Sequence, residues 1–304
     1  MEQTNFESNA FDRVTAQDTA AITGYQRSLW FDIKKSMANK HMSYVCLVVL
    51  IVITLASLLA PISPYDPNQM EPGASLQRPS AQHWLGTDFF GRDYLTRALY
   101  GGRVSLCVGF FSMLGSTLIG VIIGTVSGYA GGKTDVLLMR FIEIFNSVPD
   151  FLLMVVINAF LKPNMATLVI VISAFSWTGM ARITRAEAMS LKSRDFVLAA
   201  RASGTGHCKI IIRHIIPNMS SSIIVSAGLS VASAILRESS LSYLGLGIQE
   251  PNASWGSMLQ DAQTFILYKP SLAVYPGLLI LLTVISFNIL SDVLRNALEP
   301  RMIK

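Results

Sequence analysis

An all-α polytopic membrane protein with six transmembrane helices is the fold class this sequence predicts, and three observations predict it. Hydrophobic residues make up 51% of the 304-residue chain and charged residues only 14%, with a mean hydropathy of +0.47. That balance is far from the composition of soluble domains. The apolar residues gather into six runs at about 43–61, 103–128, 138–161, 165–186, 219–237 and 271–293, each near the ~20 residues that cross a bilayer as a helix. Lys and Arg are also shared unevenly between the segments that link those runs, as membrane topology requires.

Residues 1–42 form a polar N-terminal tail. About forty polar residues are too many for the charged start of a signal peptide, and no small-x-small cleavage site follows the first apolar run, so that run reads as a retained anchor. Residues 43–102 hold this first span and a loop that begins with Pro61, Pro64, Pro67, Pro72 and Pro79, an extended stretch that resists helix. Gly91 to Gly102 is expected to form a short amphipathic helix leading into span two. Residues 103–293 hold the other five spans. Span two carries Ser116, Gly120, Gly124 and Gly128 at four-residue intervals, a small-residue face that admits close helix approach, either at a subunit seam or inside the bundle. Lys162-Pro163-Asn164 makes a tight turn between spans three and four. A loop over 245–270 follows span five, with Gly245, Gly247 and Pro251 as breakers and Trp255 as an interfacial anchor, and residues 294–304 form a C-terminal tail.

An even number of spans puts both termini on one side. Seventeen of the 24 Lys and Arg then share that side, including Arg13, Arg27, Lys133, Arg140, seven cations between Arg182 and Arg213, Arg295, Arg301 and Lys304. The excess places both termini in the cytosol. The net charge of +5 follows this topology and forms no single basic stripe, so a nucleic-acid partner is not expected. Cys46, Cys107 and Cys208 are far apart with no metal or redox spacing. Ser127 to Thr134 nearly spells a phosphate-binding loop, but it joins two membrane spans instead of opening a helix of an α/β domain. An intramembrane hydrolase lacks a base within its spans, because His41, His83, His207 and His214 all lie in tails or loops or at their edges.

Charges inside spans are costly, and they mark function by default. Asp150 and Asn158 in span three are candidates to line a hydrophilic pathway; the alternatives for Asp150 are pairing within the bundle or a place nearer the cytosolic end. Glu143, Arg237, Glu238 and Asp292 lie at span ends, where interfacial solvation accounts for them. A polar, basic island over 187–218 separates spans four and five. It is expected to start a helix near Ser193 or Asp195, either able to cap it. Phe196, Ala199, Ala200 and Ser203 share one face, Gly204 and Gly206 end the helix, and Pro217 breaks a second basic segment before span five. The short helix with its aromatic knob suits either a groove in a protein partner or the lipid headgroup layer.

These residues resemble a known family. Ala199, Ala200, Gly204 and Pro217 match the E-A-A-x3-G-x9-I-x-L-P segment of ABC importer membrane subunits, with Leu198, His214 and Ile216 departing from it. His83-Trp-Leu-Gly-Thr-Asp88, Gly91-Arg-Asp93, Gly128-Tyr-Ala-Gly-Gly132, Glu238 to Gly247, Ser254-Trp-Gly256 and Leu294 to Pro300 are similar to landmarks of its oligopeptide and dipeptide branch. The match covers roughly residues 27–302 and most resembles the C-type permease. The resemblance implies a type I importer (MetI-like) architecture in a bacterial cytoplasmic membrane. It implies a homologous second permease subunit, two cytosolic ATPases that hold ATP and Mg, and an extracytoplasmic peptide-binding protein, with no cofactor or catalysis on this chain. Phe196, Ala199, Ala200, Arg201, Ser203 and Gly204 then correspond to the coupling helix, and Arg92, Asp93 and Trp255 are candidate contacts for the binding protein. The competing expectation is an ion- or proton-coupled secondary transporter with Asp150 as the coupling acid.

Overall fold

In hydrocarbon a backbone must satisfy its own hydrogen bonds, so apolar runs of this length become helices. The computed structural model describes residues 29–38 and 41–298, and among these residues there is no strand, only an isolated bridge between Thr87 and Asp93. Helix α1 (Leu29–Ala38) and α2 (His41–Leu58) lead to the long loop; α3 (Tyr94–Ala130), α4 (Gly132–Phe145), α5 (Asp150–Phe160), α6 (Met165–Ser176) and α7 (Thr178–Leu191) follow. Then come α8 (Asp195–Ala202), α9 (His207–Ile210), α10 (Ser220–Tyr243), α11 (Trp255–Gln263) and α12 (Ser271–Leu298). The tail residues Arg13, Arg27, Lys40, Arg301 and Lys304, and the end of the last family landmark, lie outside the described residues.

Four helical stretches are long and apolar enough to cross a membrane: α2, α3, the run from His207 to Tyr243, and α12. The third and fourth spans are broken rather than straight. Helices α4 and α5 meet at 70°, and α6 and α7 at 43°, so six crossings are reached only if each bent pair is one. Pro149 explains the first break, since it stands immediately before α5 and disfavours helical geometry in Val148. Span two differs too. The separate helix expected over Gly91–Gly102 is the first part of α3, which runs unbroken for 37 residues. At 1.5 Å per residue α3 is about 55 Å long, well beyond a ~30 Å hydrocarbon layer. Asp93 starts it by accepting from the Thr96 amide at 2.8 Å, and Gly131, at φ +66°, ends it.

Pro217 was expected to break the chain before span five, and it does not. From His207 the helix passes through a π turn over Ile211–Ile215 and a 3₁₀ turn over Ile216–Met219 into α10. The wider turn absorbs the hydrogen bond that proline cannot make. A tertiary change of pairing thus keeps α9 and α10 in one continuous rod.

The small-residue face of α3 packs inside the bundle, which decides between its two readings. A Cβ on Gly120 would stand 2.6 Å from Cβ of Met180, one on Gly124 2.1 Å from Oγ1 of Thr184, and one on Gly128 2.4 Å from the Arg185 carbonyl. Helix α7 therefore lies against α3 at backbone distance. The near phosphate-loop sequence closes the α3–α4 turn: Asp135 accepts from Ser127 at 2.5 Å and pairs with Arg185 of α7 at 2.6 Å. At the opposite end of the bundle the loops 59–93 and 244–254 pack on α3, α10 and α12. Elsewhere apolar side chains face outward, as on α2, where Val45, Val48, Val52 and Leu55 are more than half exposed. Such a surface suits lipid rather than water.

Candidate functional site

Three groups of residues are candidates for function: α8 at one end of the bundle, a cavity in the middle, and the loops at the other end. Helix α8 is only eight residues long and marginal on its own, so its position depends on how it is anchored. Neither Ser193 nor Asp195 caps it; Arg194 is the N-cap residue and no side chain bonds there. Ser193 turns back to the Ser190 carbonyl instead, and Asp195 occupies the first turn, where a carboxylate favours the helix dipole. The C-terminus is closed by backbone bonds and by the Ser203 hydroxyl, which donates to the Ala199 carbonyl at 2.9 Å. The Gly204 amide donates to Arg201 at 3.0 Å and the Thr205 amide to Ala200 at 3.1 Å, a pairing that needs the left-handed φ of +74° at Gly204.

The anchor is Val197, a residue that sequence reasoning missed. It is fully buried against Tyr129, Ala188, Ile210, Ile215 and Met219. Its signal was available, as a β-branched apolar residue one position from the exposed knob. Phe196 is 40% exposed, and Ala199, Arg201 and Ser203 are exposed, whereas Ala200 is half-buried and packs inward beside Val197. Arg201 lies over the Tyr129 ring at 5.5 Å, and the Tyr129 hydroxyl meets Nδ1 of His207 at 2.9 Å. These contacts fix α8 to the ends of α3 and α9. The helix is thus rigidly rooted on one face and open on the other.

The central cavity has a volume of about 380 Å³ and is bordered by α3, α5, α6, α7, α10 and α12. Asp150 opens α5 at its wall and pairs with Arg237 of α10, Oδ2 to Nη2, at 2.8 Å. Arg237, expected at a span end among solvating headgroups, is instead the partner of Asp150. Asn158 does not reach the cavity. It is 1% exposed, its Nδ2 donates to the Met154 carbonyl at 2.9 Å, and its Oδ1 has no partner. Ser226, Ser230 and Ser233 join Arg237 along one face of α10 toward the cavity, a polar stripe readable in the sequence as spacings of four, three and four. Next to Arg237, Glu238 turns the other way. It is fully buried and accepts from Ser105 and Ser242 at 2.8 Å, and Ser105 in turn accepts from the Trp255 amide at 3.2 Å.

At the loop end, Arg92, Asp93 and Trp255 are buried rather than presented to a partner. Arg92 is 1% exposed and pairs with Asp88 at 2.6 Å and Glu250 at 2.8 Å, which ties the two loops together. Burial pushes its guanidinium down, but Glu250 and Asp88 outweigh this and hold it above its ordinary value. Asp261 stands 3.9 Å from both Arg92 and Arg97, and burial raises its carboxyl against the pull of those two cations. Asp93 caps α3 and meets His83 at 2.9 Å. Trp255 is no interfacial anchor; it is fully buried, its indole donating to the Ala98 carbonyl at 3.0 Å. These residues hold the loops together because buried charges and indole N–H groups must be paired. Exposed aromatic residues of this end include Tyr268 at 87%, Trp84 at 71% and Phe89 at 49%.

Comparison with known proteins follows the same geometry. The model of a family described as binding-protein-dependent transport system inner membrane component matches residues 120–304, and one described as the N-terminal TM domain of oligopeptide transport permease C matches residues 28–79. The chain is 38% identical over 278 residues to the dipeptide transport system permease protein of Alkalihalophilus pseudofirmus, covering 90% of this chain and 91% of that one. It is 35% identical over 303 residues to the oligopeptide transport system permease protein of Bacillus subtilis, 99% of each chain. It is 39% identical over 278 residues to the oligopeptide transport system permease protein of Escherichia coli, covering 90% and 92% respectively.

Proposed function

This chain belongs to the family of binding-protein-dependent transport system inner membrane components and is a membrane permease, and we propose that it carries short peptides as one half of an ATP-driven importer. The single observation that carries this reading is α8: a short helix rooted by Val197 between two membrane-spanning segments, with Phe196 and Ser203 left open. A rooted helix transmits a push to the rods that hold it. The exposed face seats in a groove of a cytosolic ATPase, so Phe196, Ala199, Arg201 and Ser203 make the contact while Ala200 and Gly204 hold its shape. Closure of two ATPases around ATP and Mg then displaces α8 with α7 and the α9–α10 rod, and the pathway changes the side to which it opens. This chain holds no cofactor and hydrolyses nothing.

The remaining partners follow from the same proposal. The chain crosses the bacterial cytoplasmic membrane six times with both termini in the cytosol, and a homologous second permease completes the pathway. The central cavity with Asp150 and Arg237 is this chain's share of it. A peptide-binding protein docks outside on the loop surface that Arg92, Asp93 and Trp255 support from within, at exposed groups such as Trp84. The test is uptake by the importer reconstituted in proteoliposomes. Peptide accumulation is expected only with ATP and all partners present; accumulation driven by an imposed proton gradient without ATP would refute the proposal in favour of a secondary transporter.

A further inference from the structure

The cavity holds more charge than one ion pair uses. One carboxylate oxygen of Asp150 accepts from Arg237, and the other accepts from the Phe151 amide of its own helix at 2.8 Å. Arg295 borders the same cavity from near the end of α12 and has no hydrogen bond or ion pair among the described residues. Ser291, one turn before Arg295, lies against Gly228, so Arg295 stands at the Ser226 end of the cavity, about 20 Å along α10 from Arg237. On α10, Ser226, Ser230 and Ser233 stand eleven, seven and four residues before Arg237, a stripe about 16 Å long. Ser230 and Ser233 donate to the carbonyls of Ser226 and Leu229 at 2.9 and 3.2 Å, which leaves their oxygens as acceptors. Across the cavity the Ser176 hydroxyl is buried without a partner.

Resting on the reading of this cavity as the transport pathway, the geometry points to a site that recognises the two free ends of a short peptide. The α-carboxylate of the solute takes the place of Asp150 on Arg237. The released Asp150 takes the solute's α-ammonium group, and the serine oxygens accept from its backbone N–H groups. Each charge-assisted hydrogen bond lost in this exchange is replaced by one of the same kind. The exchange is therefore close to balanced and binding is weak, as a permease needs if it is to release what it carries. Every group in this set addresses backbone or termini, so selection is for free ends and not for side chains.

The experiment compares one peptide with its C-terminally amidated form in proteoliposomes of the whole importer. Uptake kcat/KM is measured for both with the wild-type chain and with Arg237→Gln. Dividing the free-to-amide ratio of one by that of the other cancels any preference of the extracytoplasmic binding protein, because both importers share it. The wild-type ratio is expected to exceed the variant ratio by about tenfold, the size of one lost charge-assisted contact of about 1.4 kcal/mol. A quotient within about twofold of one, with uptake retained, would overturn the proposal. If Arg237→Gln abolishes uptake of both peptides, the swap Asp150→Arg with Arg237→Asp decides. Uptake restored with reduced preference for the free carboxylate supports terminus recognition, whereas uptake restored with unchanged preference, or not restored, refutes it. The pathway reading is tested apart, by Ser230→Cys in a chain with Cys46, Cys107 and Cys208 replaced by serine. If a membrane-impermeant thiol reagent fails to modify that position during turnover, the pathway reading itself falls; if it modifies the position while the quotient stays near one, only terminus recognition falls.

Discussion

Replacing Val197 with alanine tests whether α8 works as a rooted lever. Val197 is the one fully buried side chain of α8, seated among Tyr129, Ala188, Ile210, Ile215 and Met219. The substitution removes two carbons from a site with no solvent access, about 1.6 kcal/mol at ~0.8 kcal/mol per methylene. The space left behind adds a cavity term, because the neighbours lie on α3, α7 and the α9–α10 rod and do not collapse freely, so the total is about 2–3 kcal/mol. Most of that loss falls on docking of α8, since eight residues have little helical stability of their own. Local opening of α8 then becomes about 30- to 150-fold more frequent. Hydrogen exchange of the Leu198 to Ala202 amides reads that number directly, and peptide taken up per ATP hydrolysed reads its consequence. The expected result is faster exchange confined to α8 and a lower transport yield, with the amount of protein in the membrane unchanged. Unchanged exchange would refute the packing argument, and accelerated exchange with an unchanged yield would refute the lever.

The remaining predictions rest on equally specific contacts. Gly204→Pro fixes φ near −65° where the chain holds +74° and removes the amide that bonds Arg201, a loss of about 3 kcal/mol or more at the end of α8; ATP hydrolysis should persist while uptake falls, as measured side by side in the reconstituted importer. Gly124→Leu drives side-chain atoms into Thr184 and Ala181, where even a Cβ stands 2.1–2.2 Å away, so α3 and α7 must separate; thermal melting in detergent should fall sharply, and Val121→Leu on the same helix should not reproduce it. Arg92→Met leaves Asp88 buried without its closest cation, a change of about 3–5 kcal/mol; limited proteolysis of the 59–93 loop should accelerate, and an unchanged cleavage rate would show that the loops are held by other contacts.

The outcome of each expectation depended on whether its cause was local. Six apolar runs, a small-residue face on α3 and a short helix ended by Gly204 were all legible, because hydropathy, residue size and a positive φ act over a few residues. The breaks in spans three and four were half legible: Pro149 was visible, but the 70° bend it permits depends on what the two halves pack against. Pro217 misled for the same reason, since a proline stops a helix only when no wider turn can absorb the missing bond. Arg92, Asp93 and Trp255 stood out as unusual residues, and their chemistry was right for an exposed contact or for a buried tie. Only the partners Glu250 and Ala98, brought from distant segments, decided for burial. Val197 was overlooked and Arg237 was assigned to a solvated span end, because each takes its role from residues far along the chain.

By itself, then, the sequence determined that this protein is helical, lives in a membrane, and carries a basic island between its apolar runs, because those properties follow from what water and hydrocarbon reject. The tertiary structure decided which polar residues meet: Asp150 with Arg237, Asp135 with Arg185, and Arg92 with Glu250. Pairings of that kind have no period along the chain. They are fixed by how closely helices approach, and here that distance was set where Gly120, Gly124 and Gly128 let α7 rest on the backbone of α3.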